Sequence, residues 1–324
     1  MTKYPVYVIS KGRWQKRFTA DTLTRMGVPF WLVVEPQEHD HYARHVDESK
    51  ILTLPFSDLH RGSIPARNWV WRHSREQGCE KHWILDDNIK VFYRLNRNAK
   101  LPVYSDAPFR VVEDFVERYM NIGLAGMNYA SLCKYFSGVP AYYLNTRIYS
   151  CILVSNDLPM RWRGIYNEDT DLSLRVLKLG LCTVNINAFL ADKQATLTMK
   201  GGNTDELYKD NGRLKMAESL VKQHPDVTEI TWRFNRWQHL VYYKNFKQKL
   251  IRRPDLPAFD QVDNYGLVLR QRGSRIQTEA IAETVSAEPV AAPTATTDKT
   301  GQMGWAFEVP VLPERAAAAQ EEAR

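Results

Sequence analysis

The chain has 324 residues, 44% of them hydrophobic and 25% charged, with a formal net charge of +7. This is enough chain for one large or two smaller globular domains, and no apolar run reaches the roughly 18 residues that a membrane-spanning helix needs. Cys79, Cys133, Cys151 and Cys182 share no CxxC spacing, so they read as reduced thiols of an intracellular protein and not as a disulfide frame or a zinc site.

Taken in order, residues 4–9 predict a strand entered almost at once, which leaves no room for a signal peptide, and Ser10, Lys11, Gly12 and Arg13 follow as a basic turn. Thr19 is the expected N-cap of a helix over 20–26 that Gly27 stops. Residues 30–34 predict a second strand ending in Glu35. Pro36 opens a short polar helix over 37–45, and 51–54 is a third strand. Ser63 starts a helix to about Gln77, and the apolar run 82–85 is a fourth strand that ends abruptly in Asp86, Asp87 and Asn88. Strand–helix alternation of this kind predicts a parallel α/β sheet with right-handed crossovers.

Beyond it, Phe109, Val112, Val116 and Met120 share one face of a predicted helix, while 122–129 and 141–154 read as strands, the latter antiparallel. Asn167 is placed to cap a helix over 168–179 whose first turn carries Glu168, Asp169 and Asp171. Residues 183–190 form a strand, Gly201, Gly202 and Asn203 a turn, 205–223 a mixed-charge helix, and 232–253 an aromatic and basic region. After about Gly273 the composition turns to Ala, Thr, Glu and Pro, which predicts a disordered tail over 274–324 with an apolar motif at 304–312. The expected organisation is a core over 1–205, a helical and aromatic/basic extension over 206–273 packing on it, and the tail. From Thr278 onward eight acidic and three basic residues give −5, leaving +12 on residues 1–277. A folded part this basic points to an anionic partner, nucleic acid or nucleotide.

Four clusters carry chemistry. Ser10, Lys11 and Arg13 offer donors and cations to a nucleotide diphosphate, although the P-loop pattern is absent. Arg67 is suited to hold a phosphate bidentately, and Asn68 to read a ribose or base. Asp86, Asp87 and Asn88 end a buried strand where open α/β sheets bind ligands, and their oxygens suit Mg²⁺ or Mn²⁺. A plain Asx turn accounts for the same three residues without a site. Glu168 and Asp169, at a helix N-terminus, are placed to accept a proton from an attacking hydroxyl, and three acids in four positions exceed what capping needs. For nucleic acid, Arg233, Arg236, His239, Lys244 and Lys247 supply contacts, and Trp232, Phe234 and Trp237 either stack on bases or belong to the core.

This ordering resembles a GT-A-type glycosyltransferase over roughly residues 4–205. More narrowly, the stretches 7–13, 29–35, 83–88, 167–172 and 200–203, with 233–243, resemble the TET-associated glycosyltransferases, a family found largely in bacteriophages. The resemblance implies a GT-A-like (Rossmann-like) mixed α/β sheet flanked by helices, a UDP-sugar donor, a divalent cation (Mn²⁺ or Mg²⁺), and double-stranded DNA bearing 5-hydroxymethylcytosine as acceptor, in the host cytoplasm if phage-encoded. Residue by residue it implies Asp169 as base in an inverting displacement, with Glu168 positioning the acceptor. It implies Ser10, Lys11, Arg13, Glu35, Arg67, Asn68 and Asp86 around the nucleotide-sugar, and Asp86, Asp87, Asn88 and Asn203 around the metal. Two departures stand out: Asn88 is neutral where an Asp-x-Asp motif ends in an acid, and no His lies between 183 and 223. A protein or glycan acceptor, or a catalytically decayed nucleic-acid-binding module, are the alternatives.

Overall fold

A computed structural model of the chain describes residues 1–97, 99–133, 139–194 and 212–254, with two short segments at 295–297 and 303–305. These fall into two units, Met1–Leu256 and Pro257–Arg324. In the first unit, the apolar runs β1 (Val6–Ile9), β2 (Trp31–Val34), β3 (Ile51–Thr53) and β4 (Lys81–Asp86) are joined through α1 (Phe18–Arg25), α2 (His39–Ala43) and α3 (Ile64–Glu76). The four strands lie parallel in the order β3-β2-β1-β4. β5 (Ile89–Asn96) and β6 (Ala99–Pro102) then form an antiparallel pair that the sequence reading lacks. Their alternation of charged and apolar residues marks a half-exposed edge and not a buried run.

The remaining elements are α4 (Ala107–Glu117), β7 (Ile122–Tyr129), β8 (Tyr142–Leu144), β9 (Cys151–Ser155), α5 (Glu168–Lys178) and β10 (Cys182–Lys193). They complete a ten-stranded mixed sheet of order β3-β2-β1-β4-β9-β7-β10-β5-β6, with β8 paired to β10. β9 runs antiparallel between β4 and β7, and β10 is parallel to β7. The carboxyl ends of β1, β2, β4, β7 and β10 therefore meet along one edge of the sheet. The expected continuous strand over 141–154 breaks in two because Asn145 and Ser150 adopt left-handed backbone, with φ of 54° and 53°.

Alternate strand residues face opposite layers. Val6, Val8, Trp83 and Leu85 pack with Leu23 of α1 and with Phe109 and Val112 of α4. Tyr7, Ile84 and Ile152 pack with Val70 and Trp71 of α3 and with Leu172 and Val176 of α5. Burying each such side chain stabilises the fold by roughly 1.5–3 kcal/mol, so both layers are firmly seated on the sheet. Met120 lies past the end of α4 and is 59% exposed, outside the face it was expected to share. At Gly126 of β7 an added Cβ would come within 2.2 Å of the Cys151 carbonyl oxygen. Only glycine lets β7 and β9 approach this closely.

α6 (Gly212–Gln223) and a hairpin of β11 (Thr228–Arg233) and β12 (Arg236–Val241) follow. Leu220 of α6 and Val227 pack on Leu174 of α5, with Val241, Tyr243 and Phe246 against them. Residues 205–211 of the expected helix and the turn at 201–203 lie outside the described residues. In the second unit, β13 (Ala295–Thr297) and β14 (Met303–Trp305) pair antiparallel, and the rest of the expected disordered tail, most of the 304–312 motif included, lies outside the described residues. Among the described residues no helix is long and apolar enough to cross a membrane.

Candidate active site

The carboxyl edge of the sheet gathers most of the expected residues, and the turn after β4 is its centre. Thr19 does not cap its helix, which begins at Phe18. Its hydroxyl instead donates to the Asp86 carbonyl (2.6 Å) and accepts from the Ile89 N–H (2.9 Å), while its own N–H donates to the Asp87 carbonyl (3.2 Å). Helix α1 thus clamps the acid turn at both ends, a better use of the hydroxyl than an exposed cap because the turn's backbone groups are buried.

Asp86 is surrounded by cations. Its Oδ1 accepts from Arg67 Nη2 (3.0 Å), and its Oδ2 accepts from Lys193 Nζ (3.2 Å) and from the Ser150 hydroxyl. Lys193 also donates to Ser150 Oγ (2.9 Å) and lies over the Tyr129 ring at 5.3 Å. Two local irregularities make this possible. The register of β10 shifts between Asp192 and Lys193, a bulge that re-aims the last side chain of the strand. Ser150 holds its left-handed backbone while buried, and such strain persists where surrounding contacts over-determine it. Burial alone raises the Asp86 carboxyl, but Lys193 and Arg67 outweigh it and hold the group below the usual range. Burial likewise works against the charge on Lys193, yet Asp86 beside it keeps the ammonium above the usual lysine range.

Asp87 faces the other way. Its carboxylate accepts from the Ser10 hydroxyl (2.7 Å) and from Arg13, and Tyr42 OH lies 2.6 Å from Ser10 Oγ. Burial nevertheless leaves this carboxyl raised, Arg13 and Ser10 offsetting only part of it. The Gly12 N–H donates to both oxygens of buried Glu38 (2.8 and 2.9 Å), with Gly12 at φ 69°. Lys11 bridges Glu35 (3.1 Å) and Asp58 (3.0 Å). Asn68 stands apart from this group: its amide donates to the Trp162 carbonyl and accepts from the Trp162 N–H, both at 2.9 Å.

These acids do not fit a divalent cation. Every carboxylate oxygen of Asp86 and Asp87 already faces an ammonium, guanidinium or hydroxyl, and a further cation beside Oδ2 of Asp86 would meet Lys193. Asn88 adds one buried amide oxygen without a partner. Among the described residues no group of three or more His, Cys, Asp or Glu is arranged to hold a metal, and Asn203 lies outside them.

Across the site, Glu168 and Asp169 open α5. Glu168 Oε1 accepts from Ser63 Oγ (3.2 Å) and lies 3.5 Å from Arg67 Nη2. The Arg67 guanidinium also stacks over Trp162, 4.7 Å from the ring centroid. Asp169 accepts the Thr170 N–H (2.8 Å). Burial first, and then the Glu168 charge, push its carboxyl up to about 7 against the pull of Arg67. Asp171 plays a different part: fully buried, it binds Arg163 (2.9 Å), Arg175 (2.8 Å) and His224 (2.8 Å) and ties α5 to the end of α6. Asn167 occupies the N-cap position in left-handed backbone, but its amide donates to Met216 of α6 and does not cap.

The β11–β12 hairpin turns on two left-handed residues, Phe234 and Asn235. Its aromatics are not core: Trp232 is 53%, Phe234 85% and Trp237 43% exposed, with Trp232 and Trp237 in edge contact at 5.0 Å. Arg233 and Arg236 pair across the same turn, and Lys244 and Lys247 are exposed beyond it. His239 is half-buried, and burial, followed by Arg147, pushes it down to about 4, so it is neutral at physiological pH. Tyr243, just past the hairpin, is partly buried and lies within the field of Tyr149, Arg147 and Asp169.

Sequence reasoning missed Lys193, Ser150 and Arg147. The available signal for Lys193 was the one that exposed Asp86, an apolar strand ending in a charge. A family model described as TET-Associated Glycosyltransferase matches residues 4–202. Among solved structures the chain is similar to one described as a nucleotide-diphospho-sugar transferase from Desulfovibrio desulfuricans G20, at 10% identity and a TM-score of 0.37, over 61% of this chain and 84% of that one. No curated protein matches the chain.

Proposed function

We propose that this chain, which belongs to the TET-associated glycosyltransferase family and is a glycosyltransferase, moves a sugar from a UDP-sugar to the hydroxymethyl group of 5-hydroxymethylcytosine in DNA, with inversion. The observation that carries this reading is the reach of Arg67. Its buried guanidinium meets Asp86 at 3.0 Å and Glu168 at 3.5 Å, so the edge suited to a diphosphate and the pair that holds a proton acceptor share one cation.

In this reading Asp169, its carboxyl near neutrality, accepts the proton of the attacking hydroxyl. The new bond forms at the anomeric carbon as the bond to the β-phosphate oxygen breaks, and the electron pair leaves with UDP beside Arg13. Ser10 and Lys11 line the nucleotide side, with Glu35 held by Lys11 (3.1 Å). Glu168 positions the acceptor. One base opposite one leaving group gives inversion of configuration. No step is assigned to a divalent cation.

For the acceptor, Arg233, Arg236, Lys244 and Lys247 suit phosphates, and the exposed Trp232, Phe234 and Trp237 suit stacking on a base or filling the gap that a flipped one leaves. His239, half-buried on β12, would join them as a neutral imidazole and not as a cation.

The decisive experiment offers several UDP-sugars with cytosine, methylcytosine and hydroxymethylcytosine duplexes, with and without Mn²⁺, and weighs the product nucleosides. A gain of one sugar on hydroxymethylcytosine alone is expected, and no gain there with any donor sinks the reading. Phe234→Ala is expected to weaken duplex binding about tenfold or more, as for loss of a stacked aromatic, without lowering Tm. Arg233→Ala is expected to reduce the salt dependence of binding by about one phosphate's share. Binding that neither change affects removes the hairpin as the DNA surface.

A further inference from the structure

We propose that Lys193 is the resident cation of the donor site, its ammonium doing at Asp86 what a bound divalent ion does in a metal-dependent transferase. The inference rests on the glycosyltransferase reading, because it concerns the departing diphosphate. Lys193 ends β10 on the same sheet edge as Asp86, and the bulge between Asp192 and Lys193 separates the two side chains' tasks. Asp192 pairs with Lys90 at 3.7 Å, while Lys193 turns in to Asp86 Oδ2 at 3.2 Å and Ser150 Oγ at 2.9 Å.

The setting is built for that ammonium. Ser150 is buried in left-handed backbone, its hydroxyl donates to Asp86, and Tyr129 OH lies 2.5 Å from its Oγ. The face of the Tyr129 ring lies under Nζ, and a cation over an aromatic face is attracted by the ring quadrupole. Lys193 keeps 17% of its side chain exposed, so it is held by the protein yet open to a ligand. An ammonium has three donors: Asp86, Ser150 and the Tyr129 side chain surround them here, and an anionic phosphate oxygen is a stronger acceptor than the neutral Tyr129 it would replace.

Three cations, Arg13, Arg67 and Lys193, converge on this edge where a diphosphate would arrive, Arg67 being shared between Asp86 and Glu168 while Lys193 faces Asp86. When the bond from the anomeric carbon to the β-phosphate oxygen breaks, the electron pair stays on that oxygen, and the Lys193 N–H group donates a hydrogen bond to it. The proton of the acceptor goes to Asp169, and Lys193 keeps its own. Asp86 in this arrangement anchors two cations and does not ligate a metal.

The test uses the full-length protein, metal-stripped, with UDP titrated calorimetrically in EDTA and in Mn²⁺, and free Mn²⁺ followed by its electron paramagnetic resonance. The wild type is expected to bind UDP equally in both buffers and to leave the Mn²⁺ signal unchanged. Lys193→Ala is expected to lose about tenfold in UDP affinity and about 100-fold or more in transfer, the scale for removing one donor from a developing oxyanion, and to regain part of both in Mn²⁺. Lys193→Arg is expected to keep UDP binding in EDTA. A circular dichroism spectrum and Tm near wild type show that the variants fold, and rescue of Lys193→Ala by Mn²⁺ is a response that misfolding does not give.

Failure of wild-type UDP binding in EDTA, or uptake of about one equivalent of Mn²⁺ that Asp86→Asn removes, overturns the inference. These readouts involve no DNA. Sugar transfer to hydroxymethylcytosine that needs Mn²⁺ defeats this inference and leaves the proposed function intact, whereas metal-free UDP binding without any modified nucleoside does the reverse.

Discussion

Two pairs of adjacent acids face each other across the site, and their neighbours give one member of each, Asp86 and Asp169, opposite characters. Asp86 and Asp87 close a strand and meet Arg67, Lys193 and Arg13. Glu168 and Asp169 open a helix, where free N–H groups and the dipole already favour a negative charge, yet Arg67 alone is shared with them, at 3.5 Å from Glu168. Asp86 is held ionised, whereas Asp169 is pushed up to about 7. The lesson is that residue type does not assign the role. A carboxylate with a full complement of cations organises charge, and one that is short of cations can exchange a proton near neutral pH.

The contrast breaks most readily at the largest expected effect. Asp169→Asn is expected to lower transfer by about 10³-fold or more while UDP binding persists, since a positioned base contributes about 10²–10⁴-fold. Near-wild-type turnover in that variant would remove Asp169 as base. Next comes stability, where Asp86 and Asp169 should respond with opposite sign. Asp86→Asn strands Lys193 and Arg67 and is expected to destabilise by about 3 kcal/mol, visible as a lower Tm. For Asp169 the folded-state carboxyl lies above its unfolded value of about 4, so the folded protein holds a proton that the unfolded chain releases. That contribution is complete below about pH 4 and is lost as pH rises through about 7, where the charge becomes a burden. Asp169→Asn is therefore expected to raise stability at pH 8, visible as a higher Tm than wild type, and to have little effect below about pH 4. A shift of the same sign in both variants would erase the distinction.

The smallest effect is the most diagnostic. Transfer is expected to rise with pH and level off above about 7 as Asp169 ionises. In Glu168→Gln the midpoint is expected about one unit lower, because a neighbouring charge that opposes ionisation is gone. An unmoved midpoint assigns the limb to another group.

Much of the donor half was legible because its strands are buried on both faces and read as unbroken apolar runs. The acids that interrupt such runs announce themselves. β5, β6 and the β11–β12 hairpin were hidden by alternating polar residues and, in the hairpin, by a turn of Phe234 and Asn235 without glycine. Asp171 could be separated from Asp169 only by direction, the two lying about 200° apart around a helix of 3.6 residues per turn. Lys193 and Ser150 depend on a bulge and on left-handed backbone. Neither follows from local residue preference, so the partners that decide the character of Asp86 were the part least available to sequence.

The apolar seam among Leu174, Leu220 and Val227 has a consequence for how such enzymes diversify. It joins α5, whose first turn carries Asp169, to α6 and the root of the hairpin, and buried Asp171 with His224 welds the same joint. On the roles proposed above, the proton acceptor and the surface that grips the acceptor would form one cassette, seated on a donor platform supplied by earlier strands. Exchanging hairpin tips at a preserved seam would retarget the transferase without rebuilding its nucleotide pocket, while changes at the seam would disturb target choice and proton transfer together.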